Sequence, residues 1–334
     1  MSLADWLQSL ATAADRAAVE WLLEFDEPAV RHLVLTEVLN MPAASPEVVE
    51  ARDNVLDGPR VERLLDGQQA DGGFGASAYA KWHGTHWRLI ALTELGVPAD
   101  DRVRAAYEHE LKWLRSPGRL GRAGPLDGRY RRCGSQEGAA LAIGVHLGIA
   151  ADERVAAIAG DLVEWQWPDG GWNCDIRPEA SHSSFHESLK PLWALDAYAR
   201  ATADREAADA ADRAAEFFLV HRLFRSERTG EAYPKLLKVH FPTYWHYDFL
   251  DGLLVMTRAG RVRDPRAEDA LDRLESQRLA DGRWRTGGRW WRPPGSKSAS
   301  EVVDWGSKGT NPFVTLNALR VLRAAGRLGG TVGA

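Results

Sequence analysis

An all-α fold, an α/α toroid built as a six-hairpin barrel of inner and outer helices, is predicted by three features of the sequence. One Asp-Gly-Gly-aromatic junction recurs along the chain, helices with a single apolar face precede it, and helices apolar nearly all round follow it. The junctions are Asp71-Gly72-Gly73-Phe74, Asp127-Gly128-Arg129-Tyr130, Asp169-Gly170-Gly171-Trp172 and Asp281-Gly282-Arg283-Trp284, with a degenerate copy at Gly230-Glu231-Ala232-Tyr233. Their first glycines lie 56, 42, 60 and 52 residues apart, the length of one helical hairpin with variable loops.

In chain order, residues 1–60 form an N-terminal helical segment. It holds at least one helix pair between Asp15 and Asn40, split at Pro28, where proline ends one helix and starts the next. Residues 61–330 carry the repeats. The outer helices are read from apolar residues sharing one face: Val103, Tyr107, Leu111 and Leu114; Val155, Ile158 and Leu162; Ala267, Ala270, Leu271 and Leu274. The inner helices are Leu89 to Leu92 before Gly96, Ala139 to Val145 before Gly148, and Phe313 to Leu322 before Gly326, each too apolar to face water. Glycine ends each outer helix through its access to positive φ, and the aromatic after it fills the gap between hairpins. Twelve helices in a single domain over 1–334 are expected, and no Gly/Ser or Pro run divides the chain. The longest irregular stretch, Arg283 to Trp305, is read as a loop over one mouth.

Composition narrows the function. The chain has 42 Lys and Arg against 47 Asp and Glu, a net charge of -5, with no basic block, so nucleic acid is not an expected partner. There is no apolar stretch of membrane-spanning length and no signal-like N-terminus, which predicts a cytoplasmic protein without a transmembrane segment. Two cysteines, Cys133 and Cys174, make neither a disulfide scaffold nor a zinc ribbon. Fourteen tryptophans, many beside glycine turns and histidines, suit the lining of a cavity.

The segments Gln166-Trp167-Pro168-Asp169-Gly170-Gly171-Trp172, Gln277 to Trp284 and Gln69 to Phe74 resemble the Gln-to-Trp repeats of squalene-hopene cyclases. Leu89 to Gly96 and Leu316 to Gly326 resemble inner helices of prenyltransferase β-subunits, and the chain is also similar to bacterial proteins with prenyltransferase/squalene oxidase repeats. The likeness spans roughly residues 60 to 330 and belongs to the terpene cyclase/prenyltransferase-like superfamily. It implies a toroid that encloses an apolar small-molecule substrate of isoprenoid type. The motifs specify the fold more than the chemistry. The Asp-x-Asp-Asp motif of squalene-type cyclases and the Asp-Asp-x-x-Asp diphosphate-metal motif are both missing from the sequence.

Inner helices begin near one mouth, so polar residues just past each junction are expected to converge there. Six of the ten histidines fall in this set. The candidate acids and bases are Asp175, His186, Glu187, His246 and Asp248, carboxylates and imidazoles beside tryptophan, where burial tunes proton affinity. Substrate contacts are expected from Trp82, His86, Gln136, Glu137, His182, Tyr244, Trp245, Trp305 and Lys308. Trp87, Trp290 and Trp291 are further lining candidates, whereas Trp172 and Trp284 sit at motif positions that suit structural plugs. Arg283, Arg285, Arg289, Arg292 and Lys297 suit either a grip on an acidic group or a solvated loop.

Cys174, His182 and His186 are weighed as a zinc cluster. The resemblance implies zinc held by Asp-x-Cys on an inner helix together with His, an order that Cys174-Asp175 does not reproduce, and no metal or other cofactor is expected. Cys133 and Gln136 have the spacing of an internal thioester, but a free thiol and amide are expected. Isoprenoid acid/base or carbocation chemistry leads this reading. A carbohydrate-active toroid with paired carboxylates, and a non-catalytic binding toroid, are the alternatives. The oligomeric state is left open.

Overall fold

The computed structural model describes residues 2–120, 125–306 and 308–328, and the expected domain limits at 1, 330 and 334 lie outside them. The described chain is all-α. Its helices are α1 (Leu3–Gln8), α2 (Ala13–Leu23), α3 (Pro28–Leu33), which runs on through a π-turn at Val34–Val38, α4 (Pro46–Asp53), α5 (Pro59–Leu65), α6 (Thr85–Glu94), α7 (Asp101–Leu114) and α8 (Pro117–Leu120). There follow α9 (Gly134–His146), α10 (Glu153–Trp165), α11 (Phe185–Thr202), α12 (Arg205–Val220), α13 (Phe249–Arg258), α14 (Glu268–Ser276) and α15 (Pro312–Ala325).

Periodicity sorts them into two layers. α7 buries Val103, Ala106, Tyr107, Glu110, Leu111 and Leu114, a single stripe, and α10, α12 and α14 do the same. By contrast every residue of α6 is buried, as is the run Gly134 to Gly144 of α9, and α13 and α15 are buried along most of their length. Starts are fixed by side-chain caps: Asp100, Asp152 and Asp204 cap α7, α10 and α12, while Asp248 and Asn311 each accept two backbone N–H groups at α13 and α15.

The inner helices pack in chain order, α6 on α9, α9 on α11, α11 on α13 and α13 on α15, and α15 then lies against α2, α3 and the π-turn. The last helix of the described chain thus packs against the first helical pair. The junction glycines explain how neighbours lock. At Gly72, Gly170 and Gly282 φ is between 81° and 93°, and a Cβ would fall 2.1, 2.4 and 2.0 Å from the carbonyl oxygens of Ala105, Arg213 and Ala14. Each glycine thus presses on the backbone of the next outer helix, α7, α12 or, at the end of the chain, α2.

The polar tie across these joints sits four residues before the glycine. Gln68 Nε2 donates to Gly72 O and Arg102 O, and Gln166 Nε2 to Gly170 O and Ala210 O. In the third copy Arg278 takes that place, donating to Gly282 O and pairing with Asp15. Gln69 and Gln277, read as motif glutamines from the sequence, are one residue out of register with this tie. Trp172 and Trp284 are equivalent plugs, their indole N–H groups donating to Leu162 O and Leu274 O at 2.9 and 2.8 Å.

The other two junctions differ. Around Gly128 and Gly230 nothing lies within 4 Å of an added Cβ, so these turns do not dock on a neighbour. Ion pairs hold those joints instead: Arg154 grips Glu108 at 2.7 and 2.8 Å, and Arg225 pairs with Asp269.

Candidate functional site

The segments that lead into α6 and α13, and the loop from Trp290 to Trp305, meet over the starts of the inner helices. Trp82 N–H and Nε1–H donate to Ser300 O and Trp290 O, both at 3.2 Å, and Trp291 Nε1–H to Phe241 O at 3.1 Å. Rings from all three segments then pack as one wall. Trp82 stacks on Tyr244 at 5.0 Å and meets Trp87 edge-on at 4.7 Å; Tyr79 lies 4.7 Å from Trp87 and stacks on Trp113 at 5.6 Å. His246 is held between Trp245 at 3.9 Å and Trp290 at 4.0 Å. Lys81 Nζ sits 5.1 Å from the Trp82 ring and 4.8 Å from that of Trp245, a cation over two π-faces.

Titratable groups are set into this wall. His86 Nδ1 lies 2.5 Å from Glu110 Oε1 on α7, both side chains buried. His240 Nδ1 lies 2.6 Å from Asp248 Oδ2, close but without hydrogen-bond alignment. Burial opposes a charge on His240, yet Asp248 outweighs it and holds the imidazole above its usual range. Asp248 also accepts backbone N–H groups of His240, Leu250 and Asp251 at 2.9, 2.9 and 3.0 Å, so it caps α13 and ties the His240 backbone, with its charge beside the imidazole. His186 Nδ1 accepts from Tyr247 N–H at 2.8 Å, leaving Nε2 to carry the proton of the neutral ring. Burial and then His240 lower His186 to about 4, and burial with the neighbouring histidines and Lys81 lowers His246 to about 2. Both are neutral bases at ordinary pH.

Glu301, not singled out from the sequence, is the buried acid of the loop. Its carboxylate accepts from Tyr244 Oη–H and, at 2.7 Å, from its neighbour Val302 N–H. Burial nevertheless raises its pKa to about 7.

Glu187 is placed by a different set of contacts. Its Oε2 accepts from Ser135 N–H at 3.0 Å and Ser135 Oγ–H at 2.8 Å, and its Oε1 from the Cys174 thiol at 3.3 Å. Arg119 donates to Gln136 Oε1 and Glu137 Oε1, both at 2.9 Å, so the Gln136 amide is engaged there.

Of the remaining candidates, Asp175, His182 and Lys308 lie apart from the wall. Asp175 pairs with Arg177 at the surface, which lowers it to about 2. His182 and Lys308 are exposed. Trp305 packs on Phe241 and Phe313, each at 5.2 Å, against the start of α15. Among the described residues Cys174 is grouped at metal-ligand distances with Cys133 and Glu187, not with His182 and His186, so the triad weighed from the sequence is not brought together. Arg285, Arg289, Arg292 and Lys297 are exposed, while Arg283 lies over Trp21.

A cleft of about 830 Å³ opens beside the wall between α11 and α12, lined by His182, Phe185, His186, Phe217, His221 and Tyr233 among others. His186 belongs to both regions, its ring 5.6 Å from Trp245.

Deeper along the inner helices lies a buried charge layer that sequence reasoning missed. Lys190 Nζ donates to Glu94 Oε1 and Thr243 Oγ1 at 3.1 Å, and Arg258 Nη2 to Glu94 Oε2 at 2.8 Å. Asp251, 4.0 Å from Lys190, is raised to about 6 by burial. The signal was present: Glu94 and Lys190 are charges set among the apolar residues of inner helices.

No family model and no curated protein matches this chain. A crystal structure of a protein from Actinoplanes covers 94% of this chain and 98% of its own, with 16% identity and a TM-score of 0.44. No helix among the described residues is long and apolar enough to cross a membrane.

Proposed function

We propose that the closed ring of hairpins is an α/α toroid that encloses an apolar, isoprenoid-class substrate against its aromatic wall and acts on it by acid/base or carbocation chemistry. The observation that carries this reading is the joining of that wall to a carboxylic acid poised near neutrality. Tyr79, Trp245 and Trp290 are the partly or fully exposed rings of that wall, whose π-faces stabilise a developing cation, and Glu301 at about 7 is about half protonated at neutral pH. Tyr244 links the two, stacked on Trp82 and donating to Glu301. His246, neutral and with an Nδ1 unpartnered among the described residues, is a base on the same wall, while the Nδ1 of the neutral His186 is engaged by Tyr247 N–H. The cleft that ends on His186 supplies an approach for a long apolar chain.

In this assignment Glu301 takes the part that an Asp-x-Asp-Asp acid plays in squalene-type cyclases, and His246, whose Nδ1 has no hydrogen-bond partner among the described residues, accepts the proton that ends the reaction. Glu110 is a positioning residue that orients His86, and Asp248 sets a charge beside the His240 ring. The test is incubation of the purified chain with a panel of linear polyprenyl diphosphates and squalene-type polyenes, with products read by gas chromatography and mass spectrometry. A cyclised or rearranged product is expected, and Glu301→Gln should lower turnover about 10²–10⁴-fold with an unchanged circular dichroism spectrum. No product from any member of the panel, or full activity in Glu301→Gln, would sink the reading.

A further inference from the structure

The cluster at the N-terminus of α9 stands apart from the acid and bases just described. Cys133 is the residue before α9, Cys174 lies in the loop after the Trp172 plug, and Glu187 is in the first turn of α11. Their Sγ, Sγ and carboxylate oxygen lie within 4.8 Å of one another. Two features build this arrangement. A Cβ on Gly134 would stand 2.8 Å from Glu187 O, so only glycine lets the start of α9 approach α11 closely enough to bring Cys133 to the carboxylate. Ser135 then fixes that carboxylate by donating twice to Oε2, leaving Oε1 turned to the Cys174 thiol at 3.3 Å.

We propose that Cys133, Cys174 and Glu187 bind a thiophilic divalent cation, zinc by its chemistry, with one coordination position left open. Ligand atoms around tetrahedral zinc stand about 3.5–3.8 Å apart, given bonds of about 2.3 Å to sulfur and 2.0–2.2 Å to oxygen, so the cluster closes on the ion with small side-chain movements. Two thiolates select a soft metal over calcium or magnesium. Binding releases one proton from each thiol to solvent, and the ion replaces the proton now shared between Cys174 and Glu187. Ser135 plays the part of an outer partner that orients a ligating carboxylate. Two thiolates and a carboxylate leave a net charge of −1 around a 2+ ion, and Lys81 lies within electrostatic reach of Cys133 and Glu187 to offset it. Three protein ligands leave the fourth position for water or a substrate atom. Both cysteines are only half-buried, so that position is reachable.

The set differs from the Cys174, His182 and His186 triad weighed from the sequence. The proposal does not depend on the isoprenoid reading, because the test needs no substrate. The full chain, purified under reducing conditions and stripped by a chelator, is titrated with Co²⁺ alone and then with Zn²⁺ in competition. One equivalent of Co²⁺ with a near-ultraviolet thiolate charge-transfer band, displaced by Zn²⁺, is expected. Cys133→Ser and Cys174→Ser should abolish the band. Ser135→Ala should weaken binding about 10–100-fold, and His182→Ala should bind as the natural chain does. Ser135→Ala keeps both thiols and serves where a cysteine variant fails to fold by circular dichroism. Absence of the band in the reduced natural chain, a band that survives loss of either cysteine, or a Cys133–Cys174 disulfide that persists under reduction would overturn the proposal.

Discussion

At Glu301 burial outweighs the hydrogen bonds that favour an ionised carboxylate, and this has a direct consequence for stability. The ordinary glutamate value of 4.5 rises to about 7 in the folded chain. Below 4.5 both folded and unfolded chains hold the proton. Between 4.5 and 7 the folded chain keeps a proton that the unfolded chain has released, so stability falls as pH rises through that window. The shift corresponds to about 3 kcal/mol, complete above pH 7. His186 and His246, held low at about 4 and 2, act in the opposite sense, costing stability as pH falls below about 6.5. Both remain in Glu301→Gln, so the difference between variant and natural chain isolates Glu301. Urea unfolding at pH 4.5 and 7.5 should show the natural chain losing about 3 kcal/mol relative to Glu301→Gln across that range. Parallel profiles for the two proteins would mean that Glu301 titrates normally.

Among the elements, glycines that share a left-handed backbone are not equivalent in what they touch. Gly282 has φ 81° and its would-be Cβ is 2.0 Å from Ala14 O, whereas Gly148 has φ 73° with nothing within 4 Å. Alanine at Gly148 meets only the left-handed backbone cost of about 1–2 kcal/mol. At Gly282 it must also push α2 away, adding about 1–3 kcal/mol of overpacking. Thermal unfolding of Gly282→Ala should therefore show roughly twice the destabilisation of Gly148→Ala, and equal effects would place the joint elsewhere. The repeat pattern in the sequence was legible as helix, turn and aromatic plug. That Gly72, Gly170 and Gly282 dock while Gly128 and Gly230 do not was not legible, because docking depends on which backbone arrives opposite the turn.

Across the whole molecule, the last repeat packs against the first helical pair. Arg278 bonds Gly282 O and the buried carboxylate of Asp15, which also caps α2. Arg278→Ala leaves Asp15 unpaired at that joint and should cost roughly 3 kcal/mol. Amide hydrogen exchange should quicken in α2 and α15 together, since α15 packs on α2; quickening confined to the 279–283 turn would show that the ring does not close through this pair. The all-α class, the single-faced outer helices, the inner helices and the structural part of Trp172 and Trp284 were written in the sequence, because apolar period and turn chemistry act within a few residues. Only the tertiary structure decided that Asp175, His182 and Lys308 stay outside the wall, that Glu301 becomes its acid, and that Cys133 meets Cys174 and Glu187. Proton affinity and ligand geometry are set by what burial and neighbours from other repeats bring within a few ångströms, and no local pattern encodes those neighbours.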